Sequence, residues 1–202
     1  MRRLLSEIRI AGYGGQGVIL AASVIGKAVA IFEGGHATMT QAFGPEARGG
    51  SSSAQVILSS DPIFYPYVSR PNILVVMSLE AFTKFAPQVK PGGVLIVENE
   101  LVQMGGVTLP DGVRVYGVPA TRLAEELGRK VVLNIVMVGF FGAVTNLVDP
   151  DALRKAVEDS VPPAMQKLNL AAFDKGFQYG AELVHRLSEV EVEEVPALEG
   201  EA

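Results

Sequence analysis

Short apolar runs separated by turn residues alternate along this chain with longer stretches of helical spacing. Residues 72–77, 94–97 and 113–118 are mainly apolar and of strand length, which is typical of parallel strands buried on both faces. Residues 36–43 are rich in Thr and apolar side chains, and residues 51–59 alternate with the period of a strand. Helices are predicted at residues 18–32, 79–85, 152–160 and from 163 to about 187. The alternation predicts an α/β fold with a largely parallel sheet.

Residues 131–148 are eighteen positions without a charged side chain. That is the length at which a membrane span has to be weighed. The polar or glycine positions that interrupt the stretch are Asn134, Gly139, Gly142, Thr145 and Asn146. The pattern therefore favours a helix buried inside a protein interface over a membrane span.

A loop with four glycines follows the first apolar run and precedes the first predicted helix. Gly12, Gly14 and Gly17 match the G-x-G-x-x-G pattern in its expected place between a strand and a helix. Glycine lets the backbone turn sharply and leaves the N–H groups of the helix start facing outward, where a phosphate is favoured. This first βα unit is Rossmann-like. The candidate cofactor-binding residues are Gly12, Gly14, Gly15, Gln16 and Gly17.

A dinucleotide site would need one more feature, an Asp or Glu near the end of the second strand. Residues 36–43 carry none, and Glu33 lies before them. Three interpretations of the glycine loop stay open at this point. It binds NAD or FAD, it binds another anion or cofactor phosphate, or it only allows the helix to pack closely on the sheet.

A second glycine-rich loop, residues 44–50 (GPEARGG), follows the second predicted strand. Binding sites of parallel sheets gather at the carboxyl ends of strands, so both loops are predicted to share that edge. Glu46 and Arg48 lie inside the second loop. They form either a local ion pair, which contributes little when exposed, or an anchor between subunits.

Composition narrows the classes of function. A net charge of −5 without a basic cluster argues against nucleic acid as a partner. The chain has no Cys, so it offers no thiolate nucleophile and no cysteine-ligated cluster. Its two His lie far apart in sequence, so no metal site is predicted. No catalytic residue is predicted. Hydrophobic residues make up 49% of the chain, and we expect a partner protein to cover part of them.

The two termini carry the remaining compositional signals. The N-terminus begins basic, but Glu7 comes too soon for the apolar segment of a secretory signal, which predicts a cytoplasmic protein. From Glu189 the chain is acidic and lacks aromatic residues. The sequence predicts one domain over residues 1–188 and a disordered tail over 189–202.

The two glycine loops together, GYGGQG at 12–17 and GPEARGG at 44–50, resemble the gamma subunit of 2-oxoacid:ferredoxin oxidoreductases. That group includes the pyruvate, 2-oxoglutarate and 2-oxoisovalerate enzymes. Supporting segments are SSSA at 51–54, DPI at 61–63 and NIVMVG at 134–139. The resemblance covers residues 6 to 188. Indolepyruvate oxidoreductases carry a similar domain, so the resemblance does not fix the substrate.

The resemblance implies a three-layer α/β/α sandwich that acts as an accessory subunit. Such complexes convert a 2-oxoacid to an acyl-CoA with thiamine diphosphate and pass electrons through iron–sulfur clusters to ferredoxin. The thiamine-binding and iron–sulfur subunits would be the partners, and a homodimer stays open. The glycine loop would contact a phosphate of coenzyme A (CoA), and Glu46, Arg48 and Asn134 would lie at partner interfaces. The alternatives are a free-standing dinucleotide-dependent dehydrogenase and a cofactor-free scaffold.

Overall fold

The computed structural model describes residues 5–44 and 50–193. Within these ranges the elements are β1 (Leu5–Tyr13), α1 (Val18–Lys27), β2 (His36–Phe43), β3 (Ser51–Ser59), β4 (Ile73–Val76), α2 (Leu79–Phe85), β5 (Val94–Glu98), β6 (Arg114–Val118), α3 (Ala120–Glu126), α4 (Leu133–Thr145), α5 (Pro150–Ser160) and α6 (Pro163–Glu193). A π-helical turn, Ala28–Phe32, continues α1. Short 3-10 turns follow α2 and precede α4, at Ala86–Gln88 and Lys130–Val132.

The six strands form one mixed sheet in the order β2-β3-β1-β4-β5-β6. β1, β4, β5 and β6 are parallel neighbours, whereas β3 pairs antiparallel with both β1 and β2. The predicted α/β fold with a largely parallel sheet is confirmed. The antiparallel part has a simple cause, because the loop between β2 and β3 is too short for the helical crossover that parallel neighbours require.

Helices cover both faces of the sheet, but unequally. The larger core contains Ile8 and Ile10 of β1 and packs the sheet against α1, α3, α4, α5 and α6. The smaller core contains Ala11 of β1 and is covered mainly by α2 and the 3-10 turn after it. The three-layer α/β/α sandwich is therefore confirmed, with one thick and one thin helical layer.

The uncharged stretch at residues 131–148 forms the central helix of the thick layer. Every residue of α4 from Leu133 to Gly142 is buried, and α4 packs against α1, α3, α5 and α6. Its own chain thus buries the helix, which corrects the expectation that a protein interface does so. No helix in the described ranges is long and apolar enough to cross a bilayer.

Two helices differ from the sequence-based predictions. α3 was not predicted, because it has only seven residues and no capping side chain marks its start, the N-cap residue being Pro119. α6 continues to Glu193 rather than ending near residue 187. Glu189 thus lies in this helix instead of opening a tail, since Glu is a good helix former and neither Gly nor Pro intervenes before Pro196. The tail prediction for 194–202 falls outside the described residues.

Candidate functional site

The two glycine loops meet at the carboxyl edge of the sheet. The N–H of Gly14 donates a hydrogen bond to the carbonyl of Gly50 (2.7 Å), and Tyr13 at the end of β1 pairs with Ser51 at the start of β3. The predicted common edge is confirmed. Glu46 and Arg48 lie outside the described residues, so the choice between ion pair and subunit anchor stays a prediction.

Gln16 closes the gap between the ends of β1 and β4. Its Oε1 accepts a hydrogen bond from the N–H of Tyr13 (2.6 Å), and its Nε2 donates one to the carbonyl of Met77 (2.8 Å). Gly12 makes room for this side chain, since a Cβ there would lie 2.5 Å from Gln16 Oε1. Both residues therefore hold the loop in place, and neither presents a side chain to a ligand.

This position of Gln16 bears on the dinucleotide interpretation. The helix after β1 lies on the thick face and the helix after β4 on the thin face, so the topology reverses between these strands. Dinucleotides bind in the crevice at such a switch point. Because the Gln16 amide spans the crevice, the geometry disfavours NAD or FAD there.

Gly17 and Asn134 fix the start of α1. Gly17 is the N-cap residue and has a left-handed backbone (φ +73°). A Cβ at this position would lie 2.4 Å from Nδ2 of Asn134, which itself donates to the carbonyl of Gly17 (3.2 Å). Asn134 is only 3% exposed. The interior position of its side chain does not support the predicted contact with a partner subunit.

Gly17→Ala tests this tight contact. We expect a loss of about 2–3 kcal/mol in the free energy of unfolding, because Ala is strained in the left-handed region and its Cβ displaces Asn134. Urea denaturation of the isolated chain measures it. The matched control is Gly34→Ala, which has the same backbone conformation (φ +71°) and no atom within 4 Å of the new Cβ. If Gly17→Ala and Gly34→Ala lose the same free energy of unfolding, the contact with Asn134 does not restrict which residue fits at position 17.

The loop leaves two backbone donors available. The N–H groups of Gly14 and Gln16 are bound to Gly50 and Tyr13. Within the described ranges, the N–H groups of Gly15 and Gly17 have no hydrogen-bond partner. Gly15 is exposed, and a Cβ on it would meet nothing within 4 Å. The structure thus narrows the candidate anion contact from five residues to these two, at the start of a ten-residue helix.

A shallow pocket borders the glycine loop on the α2 side. Its lining residues include Gly12, Phe43, Ser51, Ser53 and Lys84. Lys84 lines this pocket as an exposed cation, beside the exposed carboxylate of Glu80. Sequence reasoning missed it, because helix α2 is far from the glycine loop in sequence. The only signal available was that α2 directly follows β4, which is a neighbour of β1 in the sheet.

The buried carboxylate at this edge has a structural role. Glu98, fully buried at the end of β5, accepts hydrogen bonds from the N–H groups of Glu100, Leu101 and Thr121 at 2.6–3.0 Å. These bonds tie the loop after β5 to the start of α3. In the part of the chain that the structure describes, no group of three or more acidic or His side chains is placed to hold a metal ion.

Comparisons with known proteins extend over most of the chain. Residues 7–179 match the pyruvate ferredoxin/flavodoxin oxidoreductase family. The 2-oxoglutarate synthase subunit KorC of Methanocaldococcus jannaschii is 42% identical over 182 residues, which are 90% of this chain and 97% of that protein.

The solved structures that are similar to this chain include the following two. The gamma subunit of a keto/oxoacid ferredoxin oxidoreductase from Geobacter sulfurreducens PCA superposes with a TM-score of 0.77 at 36% identity, over 88% of this chain and 99% of the other. The second is a 2-oxoglutarate:ferredoxin oxidoreductase from Magnetococcus marinus, solved with 2-oxoglutarate, coenzyme A and succinyl-CoA bound. It superposes with a TM-score of 0.78 at 25% identity, over 89% of this chain but 31% of the other.

The fold, the paired glycine loops and the extent of these matches agree with one another. The resemblance first seen in residues 12–17 and 44–50 is confirmed. The chain belongs to the pyruvate ferredoxin/flavodoxin oxidoreductase family, as a gamma-type subunit of the 2-oxoacid:ferredoxin oxidoreductases.

Proposed function

We propose that this gamma-type subunit contacts a phosphate of CoA with its glycine loop. It would do so inside a cytoplasmic complex that oxidatively decarboxylates a 2-oxoacid to an acyl-CoA and passes the electrons to ferredoxin. The observation that carries the proposal is the pair of N–H groups at Gly15 and Gly17, beside the start of α1, that have no hydrogen-bond partner among the described residues. The CoA found with the Magnetococcus marinus enzyme supports this choice of anion.

The site suits a phosphate better than a larger charged group. Gly15 is exposed and has open space where a side chain would stand. Backbone donors at a helix N-terminus favour an anion through both hydrogen bonding and the helix dipole. The neighbouring pocket is lined by one cation, Lys84, and one carboxylate, Glu80, so it adds no net charge of its own. A phosphate reaching this edge from solvent would therefore meet backbone donors and the positive end of the helix dipole together.

The remaining chemistry belongs to partner subunits. Cysteine thiolates are the usual ligands of iron–sulfur clusters, and this chain has none. The clusters of the proposed complex would thus be held by other subunits, and the family resemblance implies the same for the thiamine diphosphate. The role left to this chain is to bind and orient CoA and to complete the assembly.

Gly15→Asp tests the phosphate contact. In the assembled complex we expect a five- to tenfold higher KM for CoA, because the carboxylate repels the phosphate, with little change in the KM for the 2-oxoacid. Dye reduction assays this, with 2-oxoglutarate as the first substrate, followed by pyruvate and 2-oxoisovalerate.

Gly15→Asn is the matched control, since Asn has nearly the same size as Asp but no charge, and it tolerates the left-handed backbone (φ +94°) of Gly15. We expect it to keep most of the affinity for CoA. Equal CoA kinetics in the wild type and both variants would show that the loop is purely structural.

A further inference from the structure

Residues 60–71, here called the aromatic loop, carry three large side chains into solvent. Phe64 is 93% exposed, Tyr65 66% and Tyr67 58%. The rings of Tyr65 and Tyr67 stack edge to face, with centroids 5.5 Å apart. Scattered apolar side chains are normal on protein surfaces, but here three exposed aromatic rings lie within four residues of one loop.

The sheet holds this loop at Val68, through both of its backbone polar groups. The N–H of Val68 donates to Oε1 of Gln55 on β3 (2.8 Å), and its carbonyl accepts from Nη2 of Arg9 on β1 (2.8 Å). The Val68 side chain is 3% exposed and so packs inward. Prolines at 62, 66 and 71 restrict the backbone further. The exposed rings are therefore presented on a fixed backbone.

Arg9 holds the loop with a charged side chain that is buried, and burying a charge costs free energy. It is 5% exposed, and no carboxylate in the described ranges pairs with it. Its Nη1 donates to Oε1 of Gln88 (2.6 Å), its guanidinium lies 4.7 Å from the ring centroid of Phe85, and its Nε is buried without a partner. Burial lowers the pKa of Arg9 because it disfavours the charged form. Burial of this charge opposes folding, and hydrogen bonds and the ring of Phe85 offset that cost in place of a carboxylate, so Arg9 fixes the position of the aromatic loop at Val68.

We infer that the aromatic loop is a docking element for another subunit of the oxidoreductase complex. This inference rests on the proposed function for the existence of such a complex. The partner would offer an apolar surface with hydrogen-bond acceptors for the two tyrosine hydroxyls. Exposed aromatic side chains on a preorganised backbone lose little entropy on binding, and Tyr is enriched among the residues that dominate binding energy.

The Magnetococcus marinus structure identifies the kind of occupant. There the region similar to this chain makes up 31% of a single polypeptide, so more than two thirds of that chain is covalently joined to it. In the gamma subunit from Geobacter sulfurreducens PCA, the region similar to this chain makes up 99% of the polypeptide, so there the same domain is a separate chain. A contact surface must replace the covalent link, and the aromatic loop is a rigid apolar surface available for it.

Replacing all three rings tests the inference directly. We expect the Phe64→Ser, Tyr65→Ser, Tyr67→Ser triple variant to bind its partner subunits at least a hundredfold more weakly, as measured by titration during reconstitution. The melting temperature of the isolated chain should stay close to that of the wild type, because these side chains face solvent. Ile31→Ser and Val131→Ser are matched controls, because these residues are 67% and 62% exposed and lie on helical segments of the thick layer. Both should assemble normally.

Arg9→Met tests the anchoring. Met keeps most of the buried volume but cannot donate to Val68, so chymotrypsin should cleave the aromatic loop at least ten times faster, and partner affinity should fall.

Normal assembly of the triple variant, or equal weakening by Ile31→Ser, would overturn the docking assignment. The assignment would also be overturned if the triple substitution changed only the oligomeric state of the isolated chain, because a second copy of the chain would then cover the loop. These experiments measure assembly and proteolysis. Failure of the docking assignment can therefore be distinguished from failure of the proposed function, which would appear as unchanged CoA kinetics in Gly15→Asp.

Discussion

Gly176→Ala is expected to destabilise the isolated chain by about 3 kcal/mol or more, a large part of the roughly 5–15 kcal/mol that holds a typical domain folded. α4 and α6 touch backbone to backbone at this point. A Cβ on Gly176 would lie 2.0 Å from the carbonyl oxygen of Val136, and one on Gly139 would lie 2.1 Å from that of Phe173. Neither contact can be relieved by rotating a side chain, so the helices would have to separate. Gly139→Ala should behave in the same way.

Gly26→Ala is the matched control for this prediction. Gly26 also lies inside a helix, but a Cβ there would meet only side-chain atoms of Ala37 and Val56 at 3.7 Å, which is ordinary contact. We expect no loss and a gain of up to about 1 kcal/mol, because Ala favours the helix over Gly. Urea denaturation of the three chains measures the differences. Unchanged unfolding midpoints for Gly176→Ala would show that α4 and α6 can shift apart freely.

This helix packing matters for the functional site as well as for stability. α4 carries Asn134, whose side chain holds the carbonyl of Gly17 at the start of α1. A shift of α4 away from α6 would therefore move the group that orients the glycine loop. The geometry of the candidate phosphate contact therefore depends on Gly176 and Gly139. Gly176 is more than forty positions away from Asn134 in sequence, and Gly139 lies at a different turn of the same helix.

Much of the fold was predictable from local sequence signals. The apolar runs located the central strands. Ser78 is a typical N-cap residue directly before the predicted helix at 79–85, and its Oγ accepts a hydrogen bond from the N–H of Ala81 (3.2 Å). Asp149 begins α5 in the same way, through hydrogen bonds from the N–H groups of Asp151 and Ala152. Such signals are readable because each depends on neighbours within a few residues.

The features that escaped prediction depend on contacts between distant residues. The glycine loop and its sheet edge were identified, but the inward turn of Gln16 depends on the carbonyl of Met77, which is 61 positions away. Likewise Arg9 reads in the sequence as an ordinary polar position in a strand. Its contacts with Val68 and Gln88 exist only once the loop and α2 have packed on the sheet. Side-chain direction at such positions is set by tertiary packing, which a local pattern does not contain.

The second large effect expected is complete dependence of activity on partner subunits. Enzymes accelerate their reactions by at least about a millionfold over the uncatalysed reaction, so a chain without the catalytic groups should show no measurable turnover. This chain has no Cys to ligate clusters. Its glycine loop offers backbone donors only, which can orient CoA but cannot accept electrons from a 2-oxoacid.

Reconstitution tests the central claim, that the chain is an accessory subunit, most directly. Viologen reduction with 2-oxoglutarate and CoA is measured for the isolated chain, for the partner subunits alone, and for the recombined complex. We expect no turnover by the isolated chain, weak or absent CoA-dependent turnover by the partners, and full activity only after recombination. Dye reduction by the rigorously purified chain alone, or full CoA-dependent activity of the partners without it, would contradict the account.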